Sequence, residues 1–228
     1  MPSPQKIDQD KKLYEIGDRL YQKKQYSDAA PYFEEIKNRF PQSPYSIESE
    51  WKLADSYFLT KEYASAQVEY ESFRALHPTH EKIPYVYLQI GKCQLYQAPK
   101  SVQKDQVETE QGLMTLQQLK NRWGETQEAK DAEEFISKGE EKLAKKQMYV
   151  ANFYIGQKKY FPALKRLENL NKDQTPQPLR REALYKLGYV HYKMKNPDIA
   201  KLAFEKVIAE NIDDKYDTKS KSYLSKIK

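Results

Sequence analysis

The chain of 228 residues carries one cysteine, seven glycines and three histidines. Cys93 stands alone and cannot close an intramolecular disulfide. Scarce glycine disfavours a dinucleotide-binding or β-rich chain, and few segments alternate with period two. No apolar run approaches the length of a membrane span. The opening MPSPQKIDQDKK lacks the apolar core of a signal peptide. His77 and His80 flank a Pro-Thr turn, but a zinc site needs three or four ligands, and no cysteine or acidic cluster joins them. His191 reads as a packing residue. No HExxH, Walker A, GxSxG or paired-carboxylate motif stands out, and Glu133-Glu134 and Glu140-Glu141 read as solvated charge on a lysine-rich helix. The expectation is a protein that is no enzyme, with no cofactor and no metal.

What the chain does have is 32% charged residues, 39% hydrophobic residues and 19 tyrosines. That balance suits thin two-helix layers with aromatic knobs between them better than one thick core. The formal charge is +6, from 39 basic and 33 acidic residues. The lysines are spread along every predicted helix, as on solvated faces, rather than gathered into a stripe for nucleic acid.

Residues 48–78 organise the rest. Leu53, Ala54 and Tyr57 share one helical face, Ala66, Tyr70 and Phe73 share another, and the polar turn Thr60-Lys61-Glu62 separates them. Pro78 stops the second helix. The order of large, small and aromatic positions is the tetratricopeptide (TPR) pattern, in which small Ala54 and Ala66 let two helices cross closely. One such pair cannot bury its own face, so others are required. Leu13, Ile16, Gly17 and Leu20, followed by Tyr26, Ala29, Phe33, Ile36 and Pro41, form the first. With the small residue at position 8, the first two repeats start at 10 and 47, a spacing of 37 against a usual period of about 34. The surplus falls in the turn around Pro44. Gly91 sets the third repeat, whose second helix carries Gly112, Leu116, Leu119 and Gly124, and its hairpin loop holds a nine-residue insertion near 97–106. A long helix is predicted over 125–155, about 45 Å at the α-helical rise. Its end, with Val150, Ala151 and Tyr154, joins Tyr160, Ala163, Leu167 and Leu170 as the fourth pair. Residues 171–178 break the chain before a fifth pair with Leu184, Leu187, Gly188, Ala200, Phe204 and Val207.

The predicted fold is therefore all-α, a right-handed superhelical solenoid of about five TPR helix pairs. Residues 1–9 are a flexible tail, 10–124 hold repeats one to three, and 125–213 hold the long helix with repeats four and five. Residues 214–228 are a polar, lysine-rich tail or frayed helix. First helices of successive TPRs line a groove. Repeat one offers it Tyr14, Asp18 and Tyr21, repeat two Trp51, Asp55 and Phe58, and repeat three Tyr85, Leu88, Lys92 and Leu95 with Tyr96 next. An aromatic groove with two carboxylates is expected, suited to an extended peptide. Asp18 and Asp55 at position 9 argue against a clamp for a C-terminal carboxylate.

The strings RFPQSPYS (39–46), LHPTHEKIPYVYLQIG (76–91) and LAKKQMYVANFYIGQKKYFPALKRLENL (143–170) resemble the BamD-type outer-membrane assembly lipoproteins. So does the plan of five TPRs with an insertion in the third and a long helix leading to the fourth. The resemblance implies a protein lipid-anchored at the periplasmic face of the outer membrane. It would take unfolded outer-membrane protein segments on its N-terminal repeats and dock the periplasmic domain of a BamA-type insertase on its C-terminal repeats, beside accessory lipoproteins. By the same resemblance Tyr45, His77, His80 and Tyr85 join the N-terminal groove, and Arg166 is placed to meet the insertase. No lipobox precedes the first repeat, and Cys93 within a helix cannot replace it, so the sequence is expected to begin downstream of the anchor. The competing expectation is a periplasmic or cytosolic TPR adaptor for an unrelated peptide or cell-envelope partner.

Overall fold

Four of the helix pairs reverse direction through the same turn, and each time a lysine makes it. In a computed structural model, which describes residues 3–171 and 175–227, Lys24, Lys61, Lys158 and Lys195 take positive φ angles of 60°, 67°, 56° and 62°. At the second of these turns Glu62 N donates to Tyr57 O at 2.8 Å and Lys61 N donates to Phe58 O at 3.0 Å. The same two bonds recur at Gln25 and Lys24, at Lys159 and Lys158, and at Asn196 and Lys195. This closure satisfies carbonyls that the end of a helix leaves open, and it turns the chain within a few residues.

The turns separate α1 (Asp10–Gln22) from α2 (Tyr26–Arg39), and α3 (Ser46–Leu59) from α4 (Tyr63–Leu76). They likewise part α7 (Gln127–Gly156) from α8 (Tyr160–Leu170), and α9 (Gln177–Lys193) from α10 (Pro197–Ala209). The third pair, α5 (Ile83–Gln97) and α6 (Val107–Trp123), is joined by the insertion instead. There Ala98 turns extended before Pro99 and ends the helix. A final helix, α11, spans Lys215–Leu224. The described residues are thus all-α, in TPR-type pairs, with α7 covering the predicted long helix. Of the break read at 171–178, residues 172–174 lie outside the described residues, and α9 already begins at Gln177.

Two compact units result. One comprises Met1–Ala98 with Val107–Ile136, the other Pro99–Gln106 with Ser137–Lys228. In the first, Leu13, Leu20, Phe33 and Ile36 are sealed between α1 and α2, and Leu53 of α3 joins them. Tyr70, Phe73, Ile90, Leu116 and Leu119 fill the layers formed by α4, α5 and α6. The small positions do the work the sequence pattern demands. A Cβ on Gly91 would lie 2.5 Å from Leu116 Cδ2, and one on Gly112 would lie 3.1 Å from Gly91 O. In the second unit Ala144, Met148 and Ala151 of α7 meet Leu164, Leu167 and Leu170 of α8 and Ala183, Leu187 and Val190 of α9. Its loop is tied down as well: Gln106 Nε2 donates to Ser101 O at 3.0 Å, and Lys146 Nζ donates to Lys104 O at 3.0 Å.

Both ends are more ordered than a sequence reading of tails implies. Among the described N-terminal residues, Ile7 is buried in the α1–α2 core, and Arg39 Nη1 donates to Ile7 O at 3.1 Å. At the other end Asp214 accepts from Tyr216 N and Asp217 N, at 2.8 and 3.0 Å, and caps α11. Buried Arg181 of α9 holds the approach to it. It donates to Val207 O, Ile212 O, Glu210 and both carboxylate oxygens of Asp214 at 2.6–3.2 Å. Tyr223 then stacks on Phe204, ring planes 9° apart and centroids 5.3 Å apart. A polar stretch becomes a helix because one arginine and one tyrosine give it a place to dock.

Candidate interaction face of the first three repeats

The helices α1, α3 and α5 present their first-helix positions side by side, and two charged residues of α3 knit them together. Asp55, 5% exposed, accepts from three phenols. Tyr21 OH of α1 donates at 2.9 Å, Tyr85 OH of α5 at 2.7 Å, and Tyr70 OH of α4 donates as well. Burial raises its carboxyl above the ordinary aspartate value even against the three phenols. The phenols of Tyr21 and Tyr85 are raised in turn by burial and by that carboxylate. One turn earlier, buried Lys52 pairs with Asp18 at 2.6 Å and Glu48 at 2.7 Å, and donates to Tyr14 OH at 3.0 Å. Desolvation would lower the Lys52 ammonium, but these partners together raise it. Tyr14 in turn stacks on Tyr45, centroids 4.7 Å apart.

This corrects one expectation for the groove. The sequence pattern offers Asp18 and Asp55 as open carboxylates, whereas Asp55 is enclosed by tyrosines and Asp18 is spent on Lys52. Position 9 of a first helix faces the neighbouring repeats as much as the groove, and there a buried charge must find partners. Lys52 itself escapes a repeat-by-repeat reading, because its partners Tyr14 and Asp18 lie one repeat away. Only Glu48, four residues before it on the same helix, was within reach of local spacing.

The outward surface is instead aromatic and cationic. Lys82 Nζ sits 4.2 Å from the Trp51 ring centroid and 5.6 Å from that of Tyr85. Lys92 Nζ lies 4.8 Å from Phe58 and 5.4 Å from Phe135, and burial lowers its ammonium. Tyr96, 48% exposed, leans on Tyr63, Phe58 and Phe135. Trp51, Phe58 and Tyr85 are half-buried.

His77 and His80 take structural partners. Both pack on Phe73, and His77 Nε2 meets Glu50 Oε2 at 2.8 Å. His80 Nδ1 accepts from Lys82 N at 3.1 Å. Ser46, Glu50 and His77 hold the residue types of an acyl-transfer triad, but not its geometry. Ser46 Oγ donates to the carboxylate at 3.3 Å rather than to the imidazole, and Ser46 is buried. Arg166 lies in the second unit, half-buried on α8, with Nη1 donating to Gln147 Oε1 at 3.0 Å.

Comparison with known proteins identifies the family of the chain. A family model described as YfiO, outer membrane lipoprotein, matches residues 6–207. The outer membrane protein assembly factor BamD of Caulobacter vibrioides is 26% identical over 175 residues, covering 77% of this chain and 57% of that protein. The BamD of Rickettsia prowazekii is 29% identical over 175 residues, covering 77% and 69%. The chain thus spans a little over half the length of the first of these relatives. A thermophilic TPR protein of Thermus thermophilus is 15% identical, covering 95% of this chain and 99% of that one, at a TM-score of 0.42. With five helix pairs among the described residues and a family match over residues 6–207, the chain belongs to the YfiO outer membrane lipoprotein family and is of the BamD type.

Proposed function

We propose that the chain is a non-enzymatic scaffold of the outer-membrane β-barrel assembly machinery. Its first three repeats receive extended segments of unfolded outer-membrane proteins, and its last two dock the periplasmic domain of a BamA-type insertase. Accessory lipoproteins are further partners, and an N-terminal lipid anchor holds the protein at the periplasmic face of the outer membrane. Membership of a lipoprotein family and relatives named as assembly factors support this reading.

The observation that carries it is the cation–aromatic face, with Trp51 under Lys82, Phe58 under Lys92, and Tyr96 beside them. Flat rings give an extended chain contact area at little entropic cost. Ammonium groups above the rings can meet its carbonyls and acidic side chains. A face of this kind recognises a type of chain rather than one sequence, which suits a receiver of many strands. Arg166 supplies a charge-assisted contact for the insertase.

The test is the affinity of a fluorescent outer-membrane-protein peptide for the wild-type chain and for Trp51→Ala. The expected result is a loss of about 1–2 kcal/mol, the range for an interface aromatic, with far-ultraviolet circular dichroism unchanged. Equal affinity in the two proteins would remove this face from the reading.

A further inference from the structure

The second unit carries a basic edge with exposed aromatic side chains at the turn between α7 and α8. From 142 to 167 the sequence holds seven basic residues and no aspartate or glutamate. The turn between α7 and α8 lies inside that stretch, with Lys158 and Lys159 exposed at its tip. Large apolar side chains flank it in the open: Phe153 is 56% exposed one turn before the end of α7, and Phe161 is 78% exposed at the start of α8. Tyr149, four residues before Phe153 on the same helix, is 41% exposed. Burying rings of this kind within the chain would be favourable, so their exposure on a rigid turn marks a contact surface. The turn is rigid because Lys159 N and Lys158 N bond back to Tyr154 O and Ile155 O, at 2.9 Å each.

A second cationic feature lies at the next hairpin turn of the same unit. The ends of α7 and α9 occupy the same place in successive repeats, so their turns project from the same edge of the unit. At the α9–α10 turn, Tyr192, Lys193, Lys195 and Pro197 surround a hollow of about 450 Å³ with Lys226 and Ile227 from the end of the chain. Lys193, Lys195 and Lys226 are exposed there. Asp198, in the first turn of α10, is the acidic side chain that adjoins them.

We infer that this edge is a contact surface for an anionic phospholipid membrane, with Phe153 and Phe161 entering the headgroup boundary and the lysines of the two turns meeting lipid phosphates. A protruding aromatic tip fits a deformable lipid surface better than it fits a protein partner, which needs matching concavity. Lysines beside it keep their ammonium groups in the polar layer while their stems lie along the apolar one. Each lysine near an anionic surface adds attraction that salt screens. The inference rests on the membrane tether proposed above, but not on the insertase or peptide contacts.

The test is flotation of the full chain, prepared without lipid modification, with vesicles of phosphatidylglycerol and phosphatidylethanolamine, and with neutral phosphatidylcholine vesicles as comparison. Binding to the anionic vesicles at low salt, falling as salt rises, is expected. Lys158→Glu/Lys159→Glu and Phe153→Ser/Phe161→Ser should each weaken it about tenfold or more, with helicity and peptide affinity retained. No binding to anionic vesicles, or binding unchanged in both variants, overturns the inference. So does loss of insertase binding in the variants with vesicle binding intact, which would make the edge a protein interface. Failure of the scaffold reading would show instead as absent insertase and peptide binding, a separate result.

Discussion

Asp55 brings a carboxylate into the middle of the first unit and holds three repeats to it through Tyr21, Tyr70 and Tyr85. Burial raises its folded-state pKa above the ordinary value of 3.8. A raised pKa means that the folded chain holds a proton there at a pH where the unfolded aspartate is ionised. The contribution of this proton to stability is complete below the unfolded value and is lost as pH rises through the folded one. Asp55→Asn cannot titrate, and every other group is common to both proteins. The stability difference between wild type and Asp55→Asn should therefore move in favour of wild type as pH falls from 7 toward 4. Urea unfolding at pH 7, 5 and 4 measures it; a constant difference would show that the carboxyl is not raised. A second prediction at this scale concerns the turns. Lys61 holds φ 67°, a conformation that costs a side chain about 1–2 kcal/mol and glycine little. After the entropy that glycine adds to the unfolded chain, Lys61→Gly should stabilise the protein by about 0.5–1 kcal/mol, read as a higher unfolding midpoint.

Among elements, α11 depends most visibly on one distant side chain. Arg181 of α9 binds the α10–α11 connection through five hydrogen bonds, including both oxygens of the helix cap Asp214. Arg181→Met keeps much of the side chain's length but leaves Glu210 and Asp214 without their partner. The expected cost is about 3 kcal/mol or more, with backbone amides of α11 exchanging faster than those of α1. Uniform exchange across both helices would contradict the assigned role. This element also shows where sequence reading reaches its limit. The paired helices were legible because their signals are local: small residues at 17, 54 and 91, alternating large faces, and prolines after α2 and α4. The insertion was legible because it displaced that register. The docking of α11 was not, since its polar sequence finds its partner 33 residues upstream at Arg181. The same holds for the candidate face. Its aromatics followed from repeat positions, whereas the enclosure of Asp55 and the Asp18–Lys52 pairing are contacts across repeats that no single repeat encodes.

For the whole molecule, the proposed function divides binding between the two units: extended client segments on the cation–aromatic face, and the insertase on the last two repeats around Arg166. These activities should separate by mutation. The decisive experiment for this division is a calorimetric titration of this chain with the periplasmic domain of the BamA-type insertase from its own organism. It would be repeated with Trp51→Ala and Arg166→Glu. Saturable binding by the wild type, retained in Trp51→Ala, is expected. In Arg166→Glu it should weaken by about 2 kcal/mol or more, as when a buried charged contact loses its partner, with peptide affinity unchanged. No saturable binding by the folded wild-type chain would contradict it.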